Sequence, residues 1–170
     1  MPELLLGCGA DHGKKLHFDG SEDWTNLVTL DNNPAHNPDV IHDLNIHPLP
    51  FEDNTFDEVH AYDVLEHLAS LGDYRFFFAE FTEYWRILKP GGVFLAIVPS
   101  LKSPGLFGDP SHTRVIAPMN LTFLCQQYYQ RDVGSTPMSD FRHIYKADFD
   151  IIHSESGATQ FVFALRARKD

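Results

Sequence analysis

The chain alternates short apolar runs with turn-rich polar segments, and the runs follow two periods, one near 2 and one near 3.6. Residues 3–8 form an apolar run that breaks into Gly7-Cys8-Gly9, which predicts a buried strand ending in a tight turn. Leu27-Val28-Thr29-Leu30 predicts a second strand ending at Asp31, residues 39–43 a short third, and residues 56–61 a fourth. Residues 93–98 are apolar without alternation, the pattern of a central strand covered on both faces. Residues 149–153 and 160–165, with Gly157 between them, predict a closing hairpin.

Helical spacing is clearest over 73–88, where Tyr74, Phe77, Phe78, Phe81, Trp85 and Leu88 recur at three- and four-residue steps. Lys89-Pro90-Gly91-Gly92 stops that helix. Asp63 precedes Val64-Leu65-Glu66-His67-Leu68 in the form of an N-cap with Glu66 as its capping-box partner, so a short helix is expected there. Another is expected over 120–131. Residues 10–27 are long enough for a crossover, but Gly13 and Asp19-Gly20 interrupt them and their apolar residues are sparse. They predict a loop with at most a turn or two of helix. The Pro- and Gly-rich connection 100–118 is long for a compact domain and is expected to close over the functional site.

With 170 residues and 43% hydrophobic composition, the chain suits one core, a single domain over 1–170. The net charge of -11 is uneven: residues 1–70 hold 14 acidic side chains against Lys14 and Lys15. Such a surface repels phosphate backbones, which argues against a nucleic-acid partner, and Arg166, Arg168 and Lys169 read as a solvated strand end. Cys8 and Cys125 lie far apart, as suits a reducing compartment, so a cytoplasmic location is expected. No run reaches the length of a membrane span, and the first residues carry no basic lead, so no signal peptide is expected. The oligomeric state stays open.

The order of motifs resembles the class I S-adenosylmethionine-dependent methyltransferases over nearly the whole chain. The matching pieces are Leu6-Gly7-Cys8-Gly9, Leu30-Asp31, His42-Asp43-Leu44, Leu49-Pro50-Phe51 with Phe56-Asp57, Asp63 to Leu68, and Leu88 to Gly92. The resemblance implies an α/β, Rossmann-like seven-stranded sheet with a terminal antiparallel hairpin, shortened at the N-terminus and in its first crossover. It implies S-adenosylmethionine as cofactor. Gly7, Cys8 and Gly9 would admit the methionine end to the backbone, and Asp31 would accept from the ribose hydroxyls with Asn32 beside the adenine. Asp43 and the Leu44 N–H would meet the adenine edge, and the backbone at Ala61 and Tyr62 the methionine ammonium. An Asp at a strand end also caps turns, and Asp63 and Glu66 read first as helix-capping residues.

Gly108-Asp109-Pro110-Ser111-His112 resembles a segment of bacterial and phage-type methyltransferases. There Asp109 would orient His112, and His112 would position or deprotonate the acceptor. The alternative is a loop-ordering role, and His67 is a second candidate. A dinucleotide fingerprint would need glycine at position 12, where His12 stands, so the oxidoreductase reading falls behind. The ten histidines show no metal-ligand spacing, and no metal is expected. The acceptor expected is a small molecule or saccharide. A non-catalytic cofactor-binding module is the alternative from another class.

Overall fold

The computed structural model describes residues 1–18 and 20–169. Asp19, half of the turn expected at Asp19-Gly20, lies outside the described residues. Seven strands form one sheet: β1 (Glu3–Leu6), β2 (Leu27–Asp31), β3 (Val40–Ile41), β4 (Phe56–Tyr62), β5 (Leu88–Pro99), β6 (Phe149–Ser156) and β7 (Gln160–Ala167). Their spatial order is β3-β2-β1-β4-β5-β7-β6. The first five run parallel, while β7 is antiparallel to both β5 and β6. The α/β Rossmann-like sheet and its closing hairpin are therefore as expected. The order reverses between β1 and β4, and at such a switch point the loops leaving the two carboxyl ends diverge and open a crevice.

The long helix, α1 (Tyr74–Ile87), begins where the Asp73 side chain accepts from the Phe76 N–H at 3.0 Å. Its face of Phe78, Phe81, Tyr84 and Ile87 is buried against Leu4, Leu6, Phe94 and Phe163 of the sheet. Each such side chain contributes roughly 1.5–3 kcal/mol on burial. Tyr84 stacks on Phe94 with centroids 4.7 Å apart. Three short helices follow: α2 (Gly105–Gly108), α3 (Pro118–Thr122) and α4 (Gln126–Asp132).

The helix expected over 120–131 is thus two pieces. Tertiary hydrogen bonds hold the break open: the Leu124 carbonyl accepts from the Phe149 N–H at 3.0 Å and the Tyr145 hydroxyl at 3.1 Å. Asp148 accepts the Gln126 N–H at 2.7 Å, starting α4 afresh.

The sheet's other face buries Leu5, Cys8, Tyr62 and Ile97 beneath Leu16 and Trp24, which belong to the non-helical first crossover. That loop is anchored by polar groups. The Tyr62 hydroxyl accepts from the Lys15 and Leu16 N–H groups at 3.3 and 3.2 Å. Lys14 reaches between the sheet's buried carboxylates, 2.6 Å from Glu3 and 3.4 Å from Glu58.

Candidate functional site

At the carboxyl ends of β1, β2 and β4 lies a cleft of about 320 Å³ whose lining includes Gly7, Gly9, Asp31, Asn32, Asp43 and Leu44. The two glycines serve different ends. Both hold positive φ, but a Cβ on Gly7 would stand 2.3 Å from Val64 Cγ2, whereas one on Gly9 would meet nothing within 4 Å. Gly7 lets the turn touch the segment after β4, and Gly9 opens onto the cleft.

Asp31 joins the two halves of the cleft. Its Oδ2 accepts from the Gly9 N–H at 2.9 Å and its Oδ1 from the Asn33 N–H at 2.8 Å. Burial works against ionisation, but the backbone donors Asn33 and Gly9, with His36 beside them, outweigh it and lower the pKa. His36 Nδ1 stands a further 3.2 Å from Oδ1, so the spare acceptor capacity of the carboxylate lies mainly on Oδ2, which takes one bond. Asp43 folds its own loop, accepting from Asn45 N–H at 2.9 Å, and Asn45 in turn accepts from the Ala69 N–H at 2.8 Å. This chain closes the cleft between the β3 loop and the segment after β4.

Cys8, Ala61 and Tyr62 are buried and are not among the residues lining the cleft. The Tyr62 side chain turns to the first crossover, and burial pushes its pKa up to about 12. Asp63 departs from its expected capping role: it sits in the left-handed region at φ 51, and the 3-10 turn Leu65–His67 is preceded by Val64 with no side-chain cap. Asp63 instead lines the cleft. His42, within the His42-Asp43-Leu44 motif, lines it too, as does His36, which no local motif in the sequence singles out.

The connection 100–118 flanks the cleft rather than covering it. Thr113 and Arg114 donate backbone N–H groups to the Glu66 carbonyl at 2.9 and 3.3 Å, docking the connection on the 3-10 turn. His112 then stands beside His67, a cleft-lining residue, with ring centroids 4.7 Å apart. Its Nδ1 is held 3.1 Å from the Leu106 carbonyl, while Nε2 lies 3.7 Å from Asp109 Oδ2 and 3.9 Å from Glu66 Oε1. Leu106 is therefore the hydrogen-bonded partner of His112; Asp109 spends its Oδ1 on the Ser111 N–H and hydroxyl. Glu66 is 1% exposed, and its Oε2 has no hydrogen-bond partner. Burial, with Asp63 nearby, raises its pKa to about 7.

Comparison with known proteins places this cleft in context. A family model described as a methyltransferase domain matches residues 5–96, a span that contains every residue lining the cleft. A Mycolicibacterium smegmatis protein named as a probable S-adenosylmethionine-dependent methyltransferase is 33% identical over 72% of the chain. A sterol 24-C-methyltransferase of Pneumocystis carinii is 24% identical over 66% of it. The chain spans 49% and 26% of the lengths of those two relatives. Among solved structures, a SAM-dependent methyltransferase from Archaeoglobus fulgidus superposes with a TM-score of 0.63 at 15% identity, covering 97% of this chain and 85% of that one. The N-methyltransferase NodS from Bradyrhizobium japonicum gives 0.58 at 13% identity, covering 99% and 86%. At such identities the structural likeness shows the fold alone.

Proposed function

Since the chain belongs to the class I S-adenosylmethionine-dependent methyltransferases, we propose that it methylates a small-molecule or saccharide-like acceptor. When bound, S-adenosylmethionine supplies an electrophilic methyl group on a sulfonium. The chain's own share is to align the acceptor in line with that group and to keep water away.

The observation that carries this reading is the convergence of Gly9, Asp31 and Asp43 on one cleft at the switch point of the sheet. In it, the open Gly9 and the neighbouring Gly7 receive the methionine end of the cofactor, and the buried backbone of Cys8, Ala61 and Tyr62 holds the strand ends behind them. The ionised Asp31 accepts from the ribose hydroxyls, with Asn32 alongside. Asp43 and the Leu44 N–H take the adenine edge. His112 and Asp109 stand at the acceptor end, next to His67, and His112 positions the acceptor.

The acidity of residues 1–70 supports an uncharged or hydroxyl-rich acceptor over a polyphosphate backbone. A radiolabelled-methyl screen over sugars, small phenols, RNA and DNA tests this, followed by single-turnover transfer in His112→Ala. The expected outcome is label in a small acceptor and a slowed transfer step in the variant. Label confined to RNA or DNA would overturn the acceptor class. Cofactor binding without label in any acceptor would favour a non-catalytic binding module, and an unchanged single-turnover rate would remove His112 from the site.

A further inference from the structure

Glu66, His67 and His112 each offer a ligating atom, and these atoms lie within 4.8 Å of one another. The first two follow β4 and the third comes from the connection after β5, so the cluster exists only once the backbone bonds from Thr113 and Arg114 to Glu66 have formed. Three features of it are unexplained by protein contacts alone.

The first is the buried, unpartnered Oε2 of Glu66. Arg114, whose charge Glu66 feels, is committed elsewhere, to the Leu65 carbonyl at 2.6 Å and Glu80 at 2.8 Å. Leaving a buried carboxylate oxygen without a partner costs several kcal/mol in general, so such atoms call for an explanation. The second is the direction of His112. With Nδ1 at the Leu106 carbonyl, Nε2 is left 3.9 Å from Glu66 Oε1 and 3.7 Å from Asp109 Oδ2, beyond hydrogen-bond distance of either. A cation set among these three groups would draw them together. The third is the fixing of that imidazole by a backbone carbonyl, the outer support that metal-bound histidines characteristically have.

We propose that Glu66, His67 and His112 form a binding site for a divalent first-row transition cation, with the Asp109 carboxylate at its edge. Two imidazoles and one carboxylate form a set that such ions accept while keeping positions open. Ligand atoms about 2.1 Å from one ion stand roughly 3–3.5 Å apart, so the set closes with side-chain shifts of about 1 Å. Because His67 also lines the cofactor cleft, the ion would sit between that cleft and the docked connection. Its open positions would take an acceptor oxygen, which makes His112 a positioning residue acting through the ion. This role for the ion rests on the methyl-transfer reading; the existence of the site does not.

The test uses the whole chain and the metal alone. Mn²⁺ added to the chelator-treated protein is followed by the loss of the free-ion electron paramagnetic resonance signal, with Zn²⁺ as competitor. One Mn²⁺ per chain is expected, displaced by Zn²⁺, with affinity at least tenfold weaker in Glu66→Gln and in His112→Gln. The exposed His143→Ala should bind as the parent does. S-adenosylhomocysteine binding and circular dichroism of each variant show whether it has folded, and separate failure of the metal site from failure of the cofactor reading. Absence of Mn²⁺ and Zn²⁺ binding at millimolar concentrations would overturn the proposal. So would binding left unchanged by both folded variants.

Discussion

The N–H of Gly9 donates to Asp31 Oδ2 at 2.9 Å, so one hydrogen bond joins the turn after β1 to the end of β2. The Asp31 carboxylate is thereby a support of the cleft before any ligand is considered. Its folded-state pKa lies below the ordinary 3.8, despite burial, because Asn33 and Gly9 donate to the ionised form. The stability it contributes is fully present above pH 3.8 and is lost as pH falls through the folded value. Asp31→Asn should therefore be less stable than the parent at pH 7 and at pH 5, with the gap narrowing below pH 3.8. Urea unfolding at pH 7, 5 and 3 checks this.

Gly7 and Gly9 should respond differently to alanine. Gly7→Ala adds a clash with Val64 to the cost of a positive φ, and should lose about 1–3 kcal/mol beyond the roughly 1–2 kcal/mol of the backbone term shared with Gly9→Ala. Trimming the neighbour in Gly7→Ala/Val64→Ala should recover part of the difference. Equal losses in the two single variants, measured by chemical denaturation, would contradict the assigned contact.

Lys14 is the pin of the first crossover. Its side chain is 1% exposed and bridges Glu3 and Glu58, beside a buried His60 that lies 2.8 Å from Glu58. Lys14→Met leaves those carboxylates buried without their cation, which costs on the order of 3–5 kcal/mol. Burial of Glu3 is outweighed by Lys14 and by the Thr25 and Asn26 N–H groups, so its pKa falls; burial of Lys14 is outweighed by Glu3 and Glu58, so its pKa rises. The Glu3 contribution is present above pH 4.5 and lost as pH falls through its folded value. That of Lys14 is present below pH 10.5 and lost as pH rises through its folded value. The deficit of the variant should thus be largest between pH 4.5 and 10.5, and its first crossover should show faster amide exchange.

Much of the fold was legible because it is written locally. The Phe-rich stripe of α1 and the unbroken apolar run of β5 each announce their element within a dozen residues. What was not legible depends on partners distant in the chain. The break at Phe123 to Cys125 is set by Tyr145 and Phe149, and the cover on the second sheet face by two isolated side chains, Leu16 and Trp24, that show no period. Asp63 has the local form of a helix cap, but its left-handed backbone turns it toward the cleft. Of the residues lining the cleft, Gly7, Gly9 and Asp31 stand at strand ends that the apolar runs announce, and Asn32, Asp43 and Leu44 were pointed to by the resemblance in motif order; the meeting of Glu66 and His67 with His112 could not be read, since only the docked connection brings it about.

The cleft at Gly9 and Asp31 is the proposed place of S-adenosylmethionine. Isothermal titration calorimetry with S-adenosylmethionine, S-adenosylhomocysteine and NAD, on the parent and on Asp31→Ala, tests it most directly. One site is expected for either sulfur compound and none for NAD. Asp31→Ala is expected to weaken binding by about 1.5–3 kcal/mol through lost charge-assisted bonds to the ribose, roughly 10- to 150-fold. Undiminished affinity in folded Asp31→Ala, or binding of NAD in place of both sulfur compounds, would contradict that placement.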